Sequence, residues 1–373
     1  MPPVRRWRAA LVAAAVVLPA APSVAPSLAA QPAAPPPPAG AEPVPVREWA
    51  VPWKDSRPRD PVADAAGKVW FVGQAGNYVA TLDPASGQFR RYEIDPGTHP
   101  HNVVVGRDGH AWYAGNRNGM IGRIEPASGA VTRFAMPDSA ARDPHTMLFA
   151  PDGDLWFTVQ FGGYVGRLTP RTGQVRLVKI PTPDAPTGTP ASSEAASARA
   201  RAPRPYGLAT DSRGRPWFDL FGTNAIGTID PATMRLRTYP LPHERARPRR
   251  IAVTSDDMVW YVDYTRGFLG RLDPRSGAVK EWPNPAGAAS LPYAMASDDQ
   301  DRLWYVETGV RPNRLVGFDP RTERVFSVTP IASGGGTVRH MTFDRSTGQL
   351  WFGTDVGTIG RATVGGTKRP VSD

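Results

Sequence analysis

The chain has 373 residues, no cysteine, 42 prolines, 37 glycines and a formal net charge of +10. Lack of thiols excludes disulfides and thiol chemistry, so stability must come from packing. The excess charge is scattered arginine, with no long basic run and no basic stripe interleaved with aromatics, which argues against a nucleic-acid partner.

Residues 1–30 read as a secretory signal. Arg5, Arg6 and Arg8 form its charged start, Ala9 to Ala21 its apolar run, and Ser27, Ala29 and Ala30 a small-residue cleavage site. The apolar run is too short to span a membrane. Export to the periplasm or medium is expected, with no stable membrane span once the segment is removed. Residues 31–45 are rich in Pro and Ala, with four consecutive prolines at Pro35 to Pro38, and read as a linker with nothing to bury. Val46-Arg47-Glu48-Trp49-Ala50-Val51-Pro52 has the pattern of Val279-Lys280-Glu281-Trp282-Pro283 and of Leu236 to Pro242, and so resembles an outer strand without a sheet of its own.

From there a repeat organises the chain. An aromatic pair led by Trp recurs at Trp70-Phe71, Trp112-Tyr113, Trp156-Phe157, Trp217-Phe218, Trp260-Tyr261, Trp304-Tyr305 and Trp351-Phe352, in steps of 42, 44, 61, 43, 44 and 47 residues. The unit from Pro144 to Pro181 is typical. Its apolar and β-branched runs predict four short strands, and Asp152-Gly153, Gly162-Gly163 and Thr172-Gly173 mark the reversals. A period in the low forties with four strands per unit predicts an all-β fold, a seven-bladed β-propeller in one domain spanning 46–364. The last unit stops at Ile359-Gly360-Arg361-Ala362-Thr363-Val364, one strand short, so the N-terminal strand is expected to complete the last blade and remove two sheet edges.

The long third step is explained by an insertion, residues 182–204, rich in Ala, Ser, Pro and Thr and expected to be a disordered surface loop between blades 3 and 4. Recurrent turns such as Asp83-Pro84-Ala85-Ser86-Gly87 and Asp273-Pro274-Arg275-Ser276-Gly277 are assigned to the inner hairpins and carry no chemistry. Residues 365–373 are a tail. A monomer is expected.

The candidate site follows from the same alignment. About eleven residues before each Trp, where the innermost strand opens toward the propeller axis, stand Arg59, His101, His145, Tyr206, Arg249, Tyr293 and, shifted by one, Arg339. In the first six blades this residue directly follows a proline. Every blade offers a long donor side chain and none offers an acid. Three guanidiniums and two imidazoles around one mouth predict a positive funnel suited to a small polar or anionic molecule: a carboxylate, a phosphate or a polar carbonyl. Three residues after each Trp stand Gly73, Gly115, Val159, Leu220, Asp263, Glu307 and Thr354. Only Asp263 and Glu307 there could bind a cation or move a proton, and Glu307 joins the expected substrate-binding set.

The blade pattern, Pro-His/Tyr followed by Asp-Gly-x-Leu-Trp-Phe and then by an aliphatic-Gly-Arg run such as Val165-Gly166-Arg167-Leu168, is similar to the streptogramin B lyase (virginiamycin B lyase) family over roughly Val46 to Val364. The resemblance implies a seven-bladed propeller and a lyase that opens a cyclic depsipeptide at its ester by elimination, aided by Mg²⁺. The family's functional positions, carried over by blade order, fall on Tyr293, on Thr337-Val338-Arg339 and on Thr354, none of which is the family's His or Glu. A rotated version of that pattern exists at His101 and at Asp143-Pro144-His145. Here His101 and His145 would be catalytic and Asp143 would be a metal ligand, with His99 nearby. Two classes of function follow: a lyase- or hydrolase-like enzyme, or a non-catalytic exported propeller that binds a ligand, glycan or protein. A gluconolactonase-like metalloenzyme would want acidic and amide residues around the axis instead.

Overall fold

The computed structural model describes residues 32–183 and 202–365. The expected signal segment (1–30), most of the insertion and nearly all of the tail lie outside the described residues. Twenty-eight strands, β1 to β28 in chain order, form seven four-stranded antiparallel sheets among the described residues. Blade 1 shows the plan. β2 (Pro58–Ala63) is innermost, followed outward by β3 (Val69–Gly73), β4 (Tyr78–Leu82) and β5 (Phe89–Glu93). Blades 2 to 6 repeat this over 100–135, 144–179, 205–240, 248–283 and 292–330.

Blade 7 is closed from the other end of the chain. β26 (Val338–Asp344), β27 (Gln349–Thr354) and β28 (Thr358–Thr363) receive β1 (Val46–Ala50) as their outer strand, with Val46 opposite Ala362 and Ala50 opposite Thr358. The seven innermost strands each touch the next, and β2 touches β26, so the ring is complete.

The repeating aromatics explain why each unit folds this way. Every Trp of the pair is buried between neighbouring blades. In most blades it stacks on an aromatic of its own outer strand: Trp70 on Tyr92 at 4.9 Å, Trp112 on Phe134 at 5.2 Å, Trp217 on Tyr239 at 5.4 Å and Trp260 on Trp282 at 5.4 Å between ring centroids. In blade 7 the partner is Trp49 from β1, 5.7 Å from Trp351, which is why the N-terminal segment has the outer-strand pattern. In blades 1, 4 and 6 the indole N–H is anchored by the aspartate that opens the turn before its strand: Trp70 donates to Asp64 at 2.9 Å, Trp217 to Asp211 at 3.0 Å and Trp304 to Asp298 at 2.8 Å. In blades 2 to 5 and 7 the second aromatic packs against a glycine of the third strand; a Cβ at Gly122 or Gly166 would come within 2.1 Å of the ring of Tyr113 or Phe157, so those two positions admit no side chain without movement of the ring.

Two details depart from the sequence expectations. The recurrent Asp/Glu-Pro-x-x-Gly turns join the third and fourth strands, so they end the outer hairpin and not the inner one; Asp83 to Gly87 lies between β4 and β5. Residues 32–45 also bury more than a free linker would. The Arg311 amide donates to Pro32 O at 3.0 Å, Ala34 N to Arg311 O at 3.2 Å, Glu42 N to Phe326 O at 3.0 Å and Val44 N to the Thr329 hydroxyl at 2.8 Å. Val44 packs beside the core of blades 6 and 7. This strap covers the edge of the outer strand of blade 6, Arg324–Pro330, that would otherwise be open.

Candidate functional site

Each innermost strand opens with a break in its pairing. The register shifts just after Arg59, Pro100, Pro144, Pro205, Pro248, Pro292 and Val338. A bulge at the start of a strand re-aims the side chain it holds. Here the bulge recurs seven times around the axis, and the side chains at or beside it are the seven taken from the sequence.

The structure brings them together. The rings of His101 and His145 overlap, with centroids 3.4 Å apart and planes 34° apart, and His145 lies 4.1 Å from Tyr206. The phenol oxygens of Tyr206 and Tyr293 are hydrogen-bonded to each other across the axis, joining blades 4 and 6. Between those blades, the Arg249 guanidinium carbon sits 3.8 Å from the Tyr293 ring, 4.1 Å from Tyr264, 4.5 Å from Phe221 and 5.7 Å from Tyr206. Four aromatic rings thus face one cation, an arrangement that stabilises a desolvated guanidinium without neutralising it. Arg339 lies 5.8 Å from the Tyr293 ring and is paired with Asp355. Arg59 donates from Nη1 to Gln74 at 2.8 Å.

One residue deeper is a layer that the strand-opening alignment did not reach: Asp60, Asn102, Thr146, Arg250 and His340. Arg250, only 1% exposed, bridges the axis from blade 5. Its Nη1 donates to the Thr146 hydroxyl at 2.9 Å and its Nε to Arg339 O at 2.9 Å, while Nη2 lies 3.8 Å from Asp60 Oδ2. Asn102 donates to the same Asp60 oxygen at 3.0 Å, and His101 Nδ1 lies 3.9 Å from it. The strand-opening position itself holds no acid, but Asp60, directly after Arg59, places one beneath the ring. Asp219, on the second strand of blade 4, is also buried, accepting from Gly207 N at 2.9 Å. The doublets Arg59-Asp60 and Arg249-Arg250 were the available sequence signal for this layer.

Charge states follow from burial and neighbours. Burial, reinforced by nearby cations, holds the imidazoles of His101 and His145 well below the usual histidine range, and His340 falls to about 3. All three are neutral at physiological pH, so the positive funnel rests on guanidiniums alone, a correction to the expected contribution of two imidazoles. Burial pushes the Asp219 carboxyl up to about 7, with Arg250 opposing. Burial also raises Tyr293, yet Arg249, Arg339, Arg59 and Arg250 outweigh it and bring its phenol down to about 7. Tyr206 is held above the usual phenol range by burial and by Tyr293.

Two expected site residues do not join the mouth. Glu307 is fully buried in blade 6, where it pairs with Arg314 and accepts the Ala286 amide at 2.8 Å; both oxygens are used in holding the blade. Asp143 accepts the amides of Phe161 at 2.6 Å and Gly162 at 3.0 Å, fixing the turn that follows the second strand of blade 3. Its carboxylate is thereby turned to the backbone and away from metal ligation. Among the described residues no group of three or more His, Cys, Asp or Glu side chains could hold a metal ion. A hard divalent cation requires several oxygen ligands, and guanidiniums crowd the axis instead. The residues present do not fit the Mg²⁺ that the family resemblance implies.

On blades 2 and 3 a cavity of about 570 Å³ is lined by Arg117, Arg142, Asp143, Phe161 and Lys179, among others, and by none of the seven mouth residues. It is tied to the inner strand by Asn116, which donates to Pro144 O at 3.1 Å. Phe161 is 71% exposed.

Residues 42–197 match the virginiamycin B lyase family. No curated protein matches the sequence. Among solved structures, virginiamycin B lyase from Staphylococcus aureus superposes with a TM-score of 0.73 at 23% identity, over 86% of this chain and 99% of that one. A catalytically inactive variant of that lyase with quinupristin gives the same values. The extracellular domain of a proposed one-component system from B. thetaiotaomicron superposes with a TM-score of 0.61 at 16% identity, over 88% of this chain and 43% of that one. At these identities the superpositions establish the fold. No helix among the described residues is long and apolar enough to cross a membrane. The chain is a virginiamycin B lyase family-like β-propeller, with the match to the family lying over residues 42–197 and seven blades closed around an arginine-, tyrosine- and histidine-lined mouth.

Proposed function

We propose that this protein is an exported lyase that takes a small polar or anionic molecule into the channel mouth and cleaves it by elimination, without a metal. One observation carries the proposal: donors that are buried and unused converge there. Arg59 is 5% exposed and His101 3% exposed, yet Arg59 Nε and Nη2, His101 Nδ1 and Arg249 Nε have no hydrogen-bond partner in the protein. Buried donors left unsatisfied are costly, and a carboxylate or carbonyl oxygen in the mouth would satisfy several at once. Guanidiniums in a water-poor site also stabilise the negative charge that develops on a carbonyl oxygen when the adjacent carbon loses a proton. The C–H bonding pair then forms the carbon–carbon double bond, and the β C–O bond breaks with its pair leaving on a carboxylate. Arg59 and Arg249 would hold the carbonyl. His101 and His145, being neutral, would line the leaving-group side.

A non-catalytic binding role is the second reading. It is favoured by the fold shared with the extracellular domain from B. thetaiotaomicron and by Tyr293, Arg339 and Thr354 standing where the family places His and Glu. One experiment separates the two. Thermal unfolding is followed with acetate, phosphate and Mg²⁺ in turn, and quinupristin is incubated with the protein in chelator and examined by mass spectrometry. Anion protection without metal, together with an opened ester and loss of both in Arg249→Gln, is expected. Protection with no ester opening identifies a binder. No protection by any anion overturns the lyase reading and the assignment of the mouth as an anion site.

A further inference from the structure

We propose that Tyr293, sharing a single proton with Tyr206 beneath the guanidinium of Arg249, is the proton acceptor of this mouth. The inference deepens the lyase reading and rests on it for the reaction, but not for the chemistry of the tyrosine pair itself.

The geometry singles out the phenols. The histidines are poor acceptors where they stand. His145 Nδ1 is engaged with the Thr146 hydroxyl at 2.9 Å, and the two imidazoles lie against each other with planes tilted by 34°. Both are held neutral so firmly by burial that they bind protons weakly, and a base should titrate near the working pH. The phenol oxygens of Tyr206 and Tyr293 instead meet at the axis, one donating to the other, so that a charge on either is stabilised by a hydrogen bond already in place.

The surroundings favour that charge. Arg249 and Arg250 approach from blade 5, Arg59 from blade 1 and Arg339 from blade 7. Three carboxylates oppose them. Asp355 is tied to Arg339, Asp60 lies among Arg59 and Arg250, and Asp219, beneath Gly207, is held toward its neutral form. His101, His145 and His340 add no charge. Tyr264 packs edge-on against the Tyr293 ring, 5.9 Å between centroids, and lies 4.1 Å from the Arg249 guanidinium carbon. Positive charge is in excess, and a phenolate is what the pair can supply to balance it. The first proton leaves the pair near 7 and the second only far above, as two interacting sites must behave.

In the reaction the Tyr293 oxygen takes the proton from the carbon beside the bound carbonyl. The C–H pair becomes the double bond and the β C–O bond breaks onto the leaving carboxylate. The proton then passes from the phenol to that carboxylate or to water, which restores the phenolate. Nothing is oxidised or reduced.

The test reads the ultraviolet absorbance of phenolate as the pH of the intact protein is raised, with no ligand present. One tyrosine of the ten should ionise near pH 7. That signal should vanish in Tyr293→Phe. It should move to higher pH in Tyr206→Phe, which removes the hydrogen bond, and in Arg249→Gln, which removes a cation; circular dichroism checks that each variant folds. Acetate binding should weaken above pH 7 by as much as about tenfold per unit, because the phenolate and the anion compete for the same guanidiniums. A wild-type protein with no tyrosine ionising below pH 9, or a signal unchanged in Tyr293→Phe, overturns the inference even if anions bind. A phenolate that titrates as described while no anion binds and no ester opens supports the phenolate assignment and overturns the lyase reading. Ester opening retained in a folded Tyr293→Phe protein overturns the role as acceptor.

Discussion

Asp60 shows how much one residue can decide at the base of the mouth. It has a positive φ of 50°, is 1% exposed, and lies within 4 Å of charged atoms on Arg59 and Arg250. Left-handed backbone is tolerated by Asp better than by most residues, so the sequence accepts a local cost to place a carboxylate there. Asp60→Asn keeps the shape and removes the charge. Two buried guanidiniums then lose their counter-charge, and the protein should lose about 3 kcal/mol of stability in urea denaturation. The same change should lower the pH at which Tyr293 ionises and tighten acetate binding, since both respond to net positive charge. A variant that loses stability and also loses acetate affinity would show that Asp60 shapes the site sterically. The seven ring positions were legible because each opens an innermost strand. Asp60, Arg250 and His340 were not singled out, because their importance lies in which side chains they reach across the axis. Glu307 and Asp143 were misplaced for the reverse reason. An acid at a strand end can be spent on the protein itself, Glu307 on Arg314 and Asp143 on two amides.

Among the elements, β1 is the part with the largest consequence for its size. Five residues supply the outer edge of blade 7, and Trp49 stacks on Trp351 between Arg47 and Arg361. The pattern shared with other outer strands makes this closure legible in the chain, since most outer strands carry an aromatic for the Trp of their own blade. Trp49→Ala should cost about 3–5 kcal/mol, the usual penalty for emptying a buried indole site. The loss should appear in denaturation as easier opening of the whole ring, read as a lower midpoint; an unchanged midpoint would mean that the strand merely lies on the blade. The second strand of blade 4 holds a different device. Asp219 is kept from ionising by burial, so its folded-state pKa, about 7, stands above the 3.8 of a free aspartate. A raised carboxyl contributes most below about pH 4, and its contribution is lost as the pH climbs to 7. Asp219→Asn does not titrate. Its stability relative to wild type should therefore improve steadily from pH 4 to pH 7 and then level off, as thermal melts across that range would read. A flat difference would show that the carboxylate is ionised throughout.

The molecule as a whole closes a wheel of seven sheets, and that closure gives the mouth its properties. The seven strand-opening residues come from 59 to 339, and a bulge in every innermost strand turns them to one axis. The order of residues alone specifies the number of blades, the strand that closes the ring and the identity of the side chains that open each innermost strand. It can do so because a blade is a local object: four short strands in succession, each face marked by residues two apart and each reversal by Gly or Asp. What those side chains become is settled by how the blades pack. That the imidazoles are neutral, that Arg250 bridges the axis, and that two phenols from blades 4 and 6 are hydrogen-bonded among guanidiniums all depend on distances of a few ångströms between residues that are far apart in the chain. In a buried site such distances set the charge, and no spacing along the chain encodes them.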